Sequence, residues 1–110
     1  MAHLTPQEEK AVREFKKRLQ TLLGPDLLNF RLFGSRARRE GNEGSDVDLL
    51  ILAREAPVKL RGQIFEIAAD IFLEYEVNLS PLVMSQQHYE DMKHRERLLA
   101  KEIERDGIPL

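Results

Sequence analysis

Two short motifs, Gly34-Ser35 and Asp46-Val47-Asp48, carry the residues of this chain that are best suited to chemistry. A glycine allows close approach to the backbone, and a serine at the start of a helix offers a hydroxyl and an amide hydrogen to a phosphate. The two aspartates begin an apolar run typical of a buried strand, where residues two apart share one face. Both carboxylates can then bind one hard cation. The motifs therefore favour phosphoryl or nucleotidyl transfer from a metal-bound triphosphate.

Four arginines flank the first motif within nine residues of sequence, namely Arg31, Arg36, Arg38 and Arg39. We assign Arg36 and Arg38 to the candidate nucleotide site, because guanidinium groups bind phosphate oxygens well. A solvent-exposed helix face remains the alternative for each arginine. Taken alone, a Gly-Ser pair is usually only a turn, and an acidic alternation at a strand start is usually a solvated edge. The two motifs together carry the hypothesis.

The chain has 110 residues, which fits a single domain over residues 1–110 with one core. A formal net charge of −2 argues against bulk electrostatic binding of nucleic acid. The absence of cysteine excludes disulfides, thiolate metal sites and a cysteine nucleophile. The sequence shows no apolar run near the ~20 residues of a membrane span and no signal-peptide pattern at its start, so we expect a cytoplasmic protein with no membrane partner.

The patterns that position the motifs predict alternating helices and strands. The first half of the chain should contain a helix from a Thr5-Pro6-Gln7-Glu8 capping box to Gly24-Pro25, a strand over 28–33, a short helix over 36–40, a loop over 41–44 and a strand over 47–53. The second half should contain a helix opened by Pro57, a strand over 76–84, and a helix that is capped by Ser85 and ends near Arg105 and Gly107. This order predicts an α/β (α+β) fold with one mixed sheet and flanking helices.

Two details of these elements can be checked directly. Pro81 cannot donate a ladder hydrogen bond, so it places the third strand at an edge or at a bend. The helix after Pro57 carries an apolar stripe that we assign to the core, formed by Leu60, Ile64, Ile67, Ala68, Ile71 and Phe72.

Over residues 33–52 the sequence resembles the minimal nucleotidyltransferases of the DNA polymerase beta-like superfamily. The resemblance covers the Gly34-Ser35 pair, Ser45 and the Asp46-Val47-Asp48 motif. It implies the nucleotidyltransferase fold, a small mixed β-sheet with flanking helices. It also implies that Gly34 and Ser35 bind the nucleotide and that Asp46 and Asp48 are catalytic residues that hold Mg²⁺.

The chain departs from the family pattern on the third strand, where active members usually place another carboxylate. The corresponding position here is Ser80, and the nearest polar residue expected on the same face is Asn78. Glu76 shares that face but lies four residues away, roughly 13 Å along a strand. Without a general base the rate can fall by ~10²–10⁴-fold.

The resemblance implies a Mg²⁺-dependent transfer of a nucleoside monophosphate to a partner protein. We expect AMP from ATP, with another nucleoside triphosphate as the alternative donor. Small members of the family commonly pair with a helical HEPN-domain protein as the antitoxin half of a toxin–antitoxin system. The alternative is a catalytically weak or inactive module of the same fold that acts by binding a helical partner. Transfer to a small molecule is disfavoured because 110 residues leave no room for an acceptor domain. The sequence does not determine the oligomeric state, and a homodimer is one of the alternatives.

Overall fold

A computed structural model describes residues 4–34, 46–95 and 98–110 of the chain. The elements are α1 (Pro6–Leu23), a 3-10 turn (Gly24–Asp26), β1 (Leu27–Phe33), β2 (Val47–Ala53), α2 (Val58–Tyr75), β3 (Leu79–Ser85), α3 (Gln86–His94), α4 (Leu98–Asp106) and β4 (Ile108–Pro109). The order α1, β1, β2, α2, β3 confirms the predicted helices and strands up to residue 85, and β2 has the predicted bounds. The predicted helix over 36–40 and the loop over 41–44 lie outside the described residues.

The four strands form one mixed sheet in the order β3-β2-β1-β4. Strand β2 pairs antiparallel with β1 and parallel with β3, with α2 as the crossover connection. The edge position of β3 agrees with the expectation from Pro81. Strand β4 was not predicted, because it has two residues, one of them proline, and pairs only with Arg31 and Leu32 of β1.

One face of the sheet is covered by α1 and α2. The predicted capping box begins α1: the backbone amide of Glu8 donates to Thr5 Oγ1 at 3.1 Å, and the Thr5 amide donates to Glu8 Oε1 at 2.9 Å. Apolar side chains of both helices pack on the sheet, among them Val12, Phe15, Leu19, Ile64 and Ile71. Both helices have 18 residues. In the described part of the chain, no helix combines the length and apolar character needed to cross a membrane.

The position of Phe72 corrects the predicted core stripe of α2. Ile64, Ala68 and Ile71 are buried as expected, but Phe72 keeps 50% of its surface exposed. Successive residues of a helix are about 100° apart around its axis, and Phe72 lies at the border of the buried face, with half of its surface in solvent.

The other face of the sheet is covered by α3 and α4, where one long helix was predicted. The amide of His88 donates to Ser85 Oγ at 3.1 Å, so Ser85 caps α3 as expected. The Tyr89 hydroxyl donates to Glu104 Oε1 at 2.7 Å. In a continuous helix these two residues would be about 22 Å apart, so the chain must fold back between α3 and α4. The single helix over 85–105 is therefore wrong.

The start of β3 also differs from the prediction. The strand begins at Leu79 rather than near residue 76, because Glu76 ends α2 in the left-handed conformation with φ of 57°. Its backbone amide still donates to the Phe72 carbonyl at 2.9 Å. Glu76 therefore belongs to the helix terminus and does not share the strand face of Ser80.

Candidate active site at the carboxylate edge of the sheet

Three strand ends meet at one edge of the sheet and bring the two motifs together. The register pairs Phe33 at the end of β1 with Asp48 on β2, and pairs Asp48 with Ser80 on β3. Residues paired in this way point to the same side of a sheet. The row formed by Phe33, Asp48 and Ser80 faces the side covered by α3 and α4. We call this edge, with Gly34, Asp46 and Asn78, the carboxylate edge.

Gly34 lies directly against the carboxylate of Asp48. Its φ is +73°, a conformation that favours glycine. A Cβ at this position would be 2.3 Å from Asp48 Oδ2 and 3.1 Å from Asp48 Cγ. A side chain at residue 34 would therefore force the Asp48 carboxylate to move. The backbone after β1 can approach the carboxylate only because residue 34 is glycine, and the two sequence motifs therefore form one site.

Asp46 is oriented by a residue of the neighbouring strand connection. Asp46 is exposed and directly precedes β2, as Asn78 directly precedes β3. Asn78 Nδ2 donates to Asp46 Oδ1 at 2.9 Å, and the Asn78 carbonyl accepts from the Val47 amide at 3.0 Å. Asn78 thus fixes both the start of β2 and one oxygen of the carboxylate. Sequence reasoning named Asn78 only as a polar neighbour of Ser80, although parallel pairing of the two strands could have placed it beside Asp46.

The donor set at this edge suits a hard divalent cation. Asp46 and Asp48 contribute carboxylate oxygens, and the missing Cβ of Gly34 lets the Asp48 carboxylate lie against the backbone. No group of three or more histidine, aspartate or glutamate side chains that could hold a metal occurs within residues 4–34, 46–95 and 98–110. Mg²⁺ typically takes one or two protein carboxylates and completes its shell with phosphate oxygens and water. The residues present therefore fit Mg²⁺ held jointly with a phosphate ligand.

Ser80, which the sequence resemblance aligns with the further carboxylate of the family, lies in register with Asp48. Neighbouring strands are about 4.8 Å apart, so a residue in register with Asp48 lies next to it on the same face. The Ser80 side chain is partly buried. Because residue 80 is serine, it adds no third carboxylate beside Asp48 at the carboxylate edge.

The arginines divide into two groups. Ser35, Arg36 and Arg38 lie outside the described residues, so their assignment to the nucleotide site stays a prediction. Arg31 is described, and its Nη1 lies 4.0 Å from Glu104 Oε2 on α4. Its Nε is buried and has no hydrogen-bond partner among the described residues. Arg31 therefore points toward α4.

Glu104 is the centre of a polar cluster that joins α3 to α4. It accepts the hydrogen bond from Tyr89, and Lys93 Nζ lies 3.3 Å from its Oε1. The Tyr89 hydroxyl lowers the pKa of Glu104, while burial and the hydrogen bond to Glu104 raise the pKa of Tyr89. These contacts hold the two helices together and do not reach the carboxylate edge.

Comparisons with known proteins bear on the same fold and edge. Residues 12–107 match the nucleotidyltransferase domain family. Two relatives from Methanocaldococcus jannaschii carry the name "putative protein adenylyltransferase". MJ0141 is 42% identical over 73 residues, which cover 66% of this chain and 74% of the relative. MJ1305 is 40% identical over 75 residues, which cover 64% of this chain and half of the relative.

Solved structures share the fold at lower identity. A nucleotidyltransferase-like protein from Sulfolobus solfataricus is 21% identical, with a TM-score of 0.56 over 91% of this chain and 76% of its own. A toxin–antitoxin structure with AMP-PNP is 18% identical, with a TM-score of 0.56 over 87% of this chain and 69% of its own. A mutant MntA–HpeT toxin–antitoxin structure is 18% identical, with a TM-score of 0.55 over 89% of this chain and 70% of its own. With the family match over 12–107 and the joined motifs at the carboxylate edge, this chain belongs to the nucleotidyltransferase domain family.

Proposed function

We propose that this chain is a Mg²⁺-dependent nucleotidyltransferase that transfers AMP from ATP to a partner protein. The observation that carries the proposal is the contact of Gly34 with the Asp48 carboxylate, which joins the Gly-Ser and Asp-Val-Asp motifs at one edge of the sheet. The names of the two M. jannaschii relatives support protein adenylylation as the reaction. The fold shared with a toxin–antitoxin structure that contains AMP-PNP supports ATP as the nucleotide.

In this reaction an acceptor hydroxyl attacks the α-phosphorus of ATP. The new bond joins the acceptor oxygen to phosphorus, the bond to the bridging oxygen breaks, pyrophosphate leaves, and the hydroxyl proton passes to a base or to water. Asp46 and Asp48 would hold Mg²⁺, which neutralises charge on the phosphates. Gly34 lets the backbone of the turn lie against the Asp48 carboxylate, and Asn78 keeps Asp46 oriented. Ser35, Arg36 and Arg38 would bind the outer phosphates.

We further propose that the partner is a helical HEPN-type protein and that this chain is the antitoxin of the pair. The MntA–HpeT and AMP-PNP toxin–antitoxin structures, which share the fold, support this role. A cheap observation would strengthen it, namely an adjacent reading frame that encodes a small helical protein with an Arg-x(4–6)-His motif.

The test is intact mass spectrometry of this protein mixed with that neighbouring gene product, ATP and Mg²⁺. We expect a mass increase of one or more AMP groups on the partner, lost with EDTA and with Asp46→Asn plus Asp48→Asn. Asp91→Asn is the matched control, because Asp91 is an exposed aspartate of α3 whose side chain accepts from Gln87 of the same helix at 3.0 Å. The same transfer by the Asp46/Asp48 double variant would place the catalytic metal elsewhere.

A second candidate is a module that binds its partner without transfer. The observation that favours it is Ser80, in register with Asp48 where active members of the family usually have an acid. Ser80→Asp would place a carboxylate beside the acceptor position and should raise the transfer rate if the protein is an enzyme. A stable complex with no mass change, and no gain from Ser80→Asp, would support the binding module.

A further inference from the structure

The outer face of α2 exposes most of the large apolar side chains that reach solvent. Among the described residues, the exposed large apolar side chains are Leu28 at 41%, Val58 at 86%, Phe65 at 53%, Phe72 at 50% and Leu73 at 77%. All but Leu28 belong to α2. Two phenylalanines half exposed on one helix mark a contact surface more strongly than scattered apolar residues do.

Three of these side chains, Val58, Phe65 and Phe72, form a continuous seam along the helix. Val58, Phe65 and Phe72 recur every seven residues, and Gly62 and Ala69 stand between them at spacings of four and three. This alternation is the repeat with which one helix packs lengthwise against another. Gly62 and Ala69 are exposed and small, so they leave room for the large side chains of a facing helix. We call these five residues the α2 seam.

The α2 seam is complementary to itself when two copies run antiparallel. With the twofold axis near residue 67, equal rise per residue brings Phe65 level with Ala69 of the other copy and Phe72 level with Gly62. Each ring then meets a small residue. A parallel pair in register would instead place each phenylalanine level with its own copy, leaving the small positions opposite each other.

Charge favours the same arrangement. Arg61 borders the seam near the start of α2, and Glu76 ends the helix close to the seam. In the antiparallel pair Arg61 of one copy approaches Glu76 of the other within about one turn, and symmetry provides this pair twice. Parallel helices would bring the like charges together and align the two helix dipoles unfavourably.

We propose that α2 is a self-association surface and that this chain forms an antiparallel homodimer through the α2 seam. The exposed parts of the four large apolar side chains on α2 amount to roughly 530 Å² per copy, taking ~200 Å² for each whole side chain. Stable interfaces usually bury about 800 Å² per partner, so polar neighbours must supply the rest and a dissociation constant on the order of 1–100 µM is expected. The dimer does not depend on the proposed function.

The dimer leaves both carboxylate edges accessible. Helix α2 ends beside Asn78, which contacts Asp46, so its C-terminal end lies at that edge of the sheet. In an antiparallel pair the two C-terminal ends point in opposite directions. The two sites therefore lie at opposite ends of the dimer, and each can receive its own acceptor.

Sedimentation velocity across a concentration series measures the association. We expect the wild-type protein to pass from monomer to dimer, and Phe72→Glu to raise the dissociation constant at least 100-fold. Leu28→Glu is the matched control, because it puts the same charge on an exposed apolar side chain of β1 and should leave the dimer unchanged. Circular dichroism of every variant checks that the fold is retained.

A charge exchange tests the orientation. Arg61→Glu and Glu76→Arg should each raise the dissociation constant about tenfold, and the double variant, or an equal mixture of the two single variants, should restore it. Arg61 Nε also donates to the Ala56 carbonyl, and the double-mutant cycle separates that local loss from the pairing. A wild-type protein that stays monomeric at millimolar concentration, or a dimer indifferent to Phe72→Glu, would overturn the proposal. Failure of the exchange would overturn the antiparallel geometry.

Discussion

The two faces of the sheet differ in what covers them. The α1–α2 face packs a large apolar cluster beneath two long helices, including Phe15, which contacts Phe30 with ring centroids 6.1 Å apart. The α3–α4 face has a smaller apolar cluster beneath two helices of nine residues, and it includes the charged pair Arg31 and Glu104. At the carboxylate edge, Phe33, Asp48 and Ser80 point to this second face. The difference indicates that one face supplies most of the stability while the other accommodates charge and chemistry.

Two neighbouring residues of β2 offer the strongest test of this difference in stability between the two faces. Ile51 faces α1 and α2, whereas Leu50 faces α3 and α4, and both are fully buried. Ile51→Ala should lower the free energy of unfolding by about 4–5 kcal/mol, since tightly packed long helices cannot close the cavity. Leu50→Ala should cost about 2–3 kcal/mol, because shorter helices can shift toward the gap. Urea denaturation measures both values. Equal costs would show that the two faces contribute equally.

The carboxylate edge is tested by a pair of glycines with positive φ. Gly34→Ala combines a strained backbone with a clash on Asp48, and should cost about 2–3 kcal/mol and abolish binding of ATP with Mg²⁺. Gly24 has φ of +55°, but a Cβ added there would meet nothing within 4 Å, so Gly24→Ala should cost about 1 kcal/mol and leave binding intact. Isothermal titration calorimetry and thermal unfolding give both readouts. Normal ATP affinity in Gly34→Ala would show that the nucleotide lies elsewhere.

A substitution in the polar cluster of the α3–α4 face should have the smallest effect on stability. Tyr89→Phe removes the donor that lowers the pKa of Glu104, so this pKa should rise toward its ordinary value. A lowered folded-state pKa stabilises the protein above the ordinary pKa, and the stabilisation is lost as pH falls through the lowered value. The variant should therefore be about 1 kcal/mol less stable near pH 7, with the difference shrinking below about pH 4. Unfolding at both pH values and an NMR titration of Glu104 measure this. A difference that persists in acid would assign the loss to packing.

Sequence patterns predicted the elements that depend on local signals. The capping box at Thr5 starts α1, the unbroken apolar run gives β2 its observed bounds, and Pro81 lies in an edge strand. The Gly34 and Asp48 motifs could be joined because each lies at the end of a strand. These features follow from hydrogen-bonding capacity and periodicity within a few residues.

The features that sequence patterns missed depend on contacts between distant segments. The break between α3 and α4 is set by packing of Tyr89 near Glu104, and β4 exists only because β1 offers a free edge. The spacing of Phe72 in the sequence is compatible with a buried or an exposed position on α2. Its burial depends on where the neighbouring elements pack against the helix. The link from Asn78 to Asp46 requires the strand register, which a single strand does not reveal.

Pro81 also affects the solubility of the protein. Strand β3 is apolar along most of its length and forms one border of the sheet, so it could template the addition of strands from other molecules and lead to aggregation. Proline at its third position lacks an amide hydrogen and interrupts any continuous ladder on that border. The same residue therefore protects the stretch next to Ser80 during folding and storage at high concentration, leaving the border of the sheet unsuited to fibrillar growth.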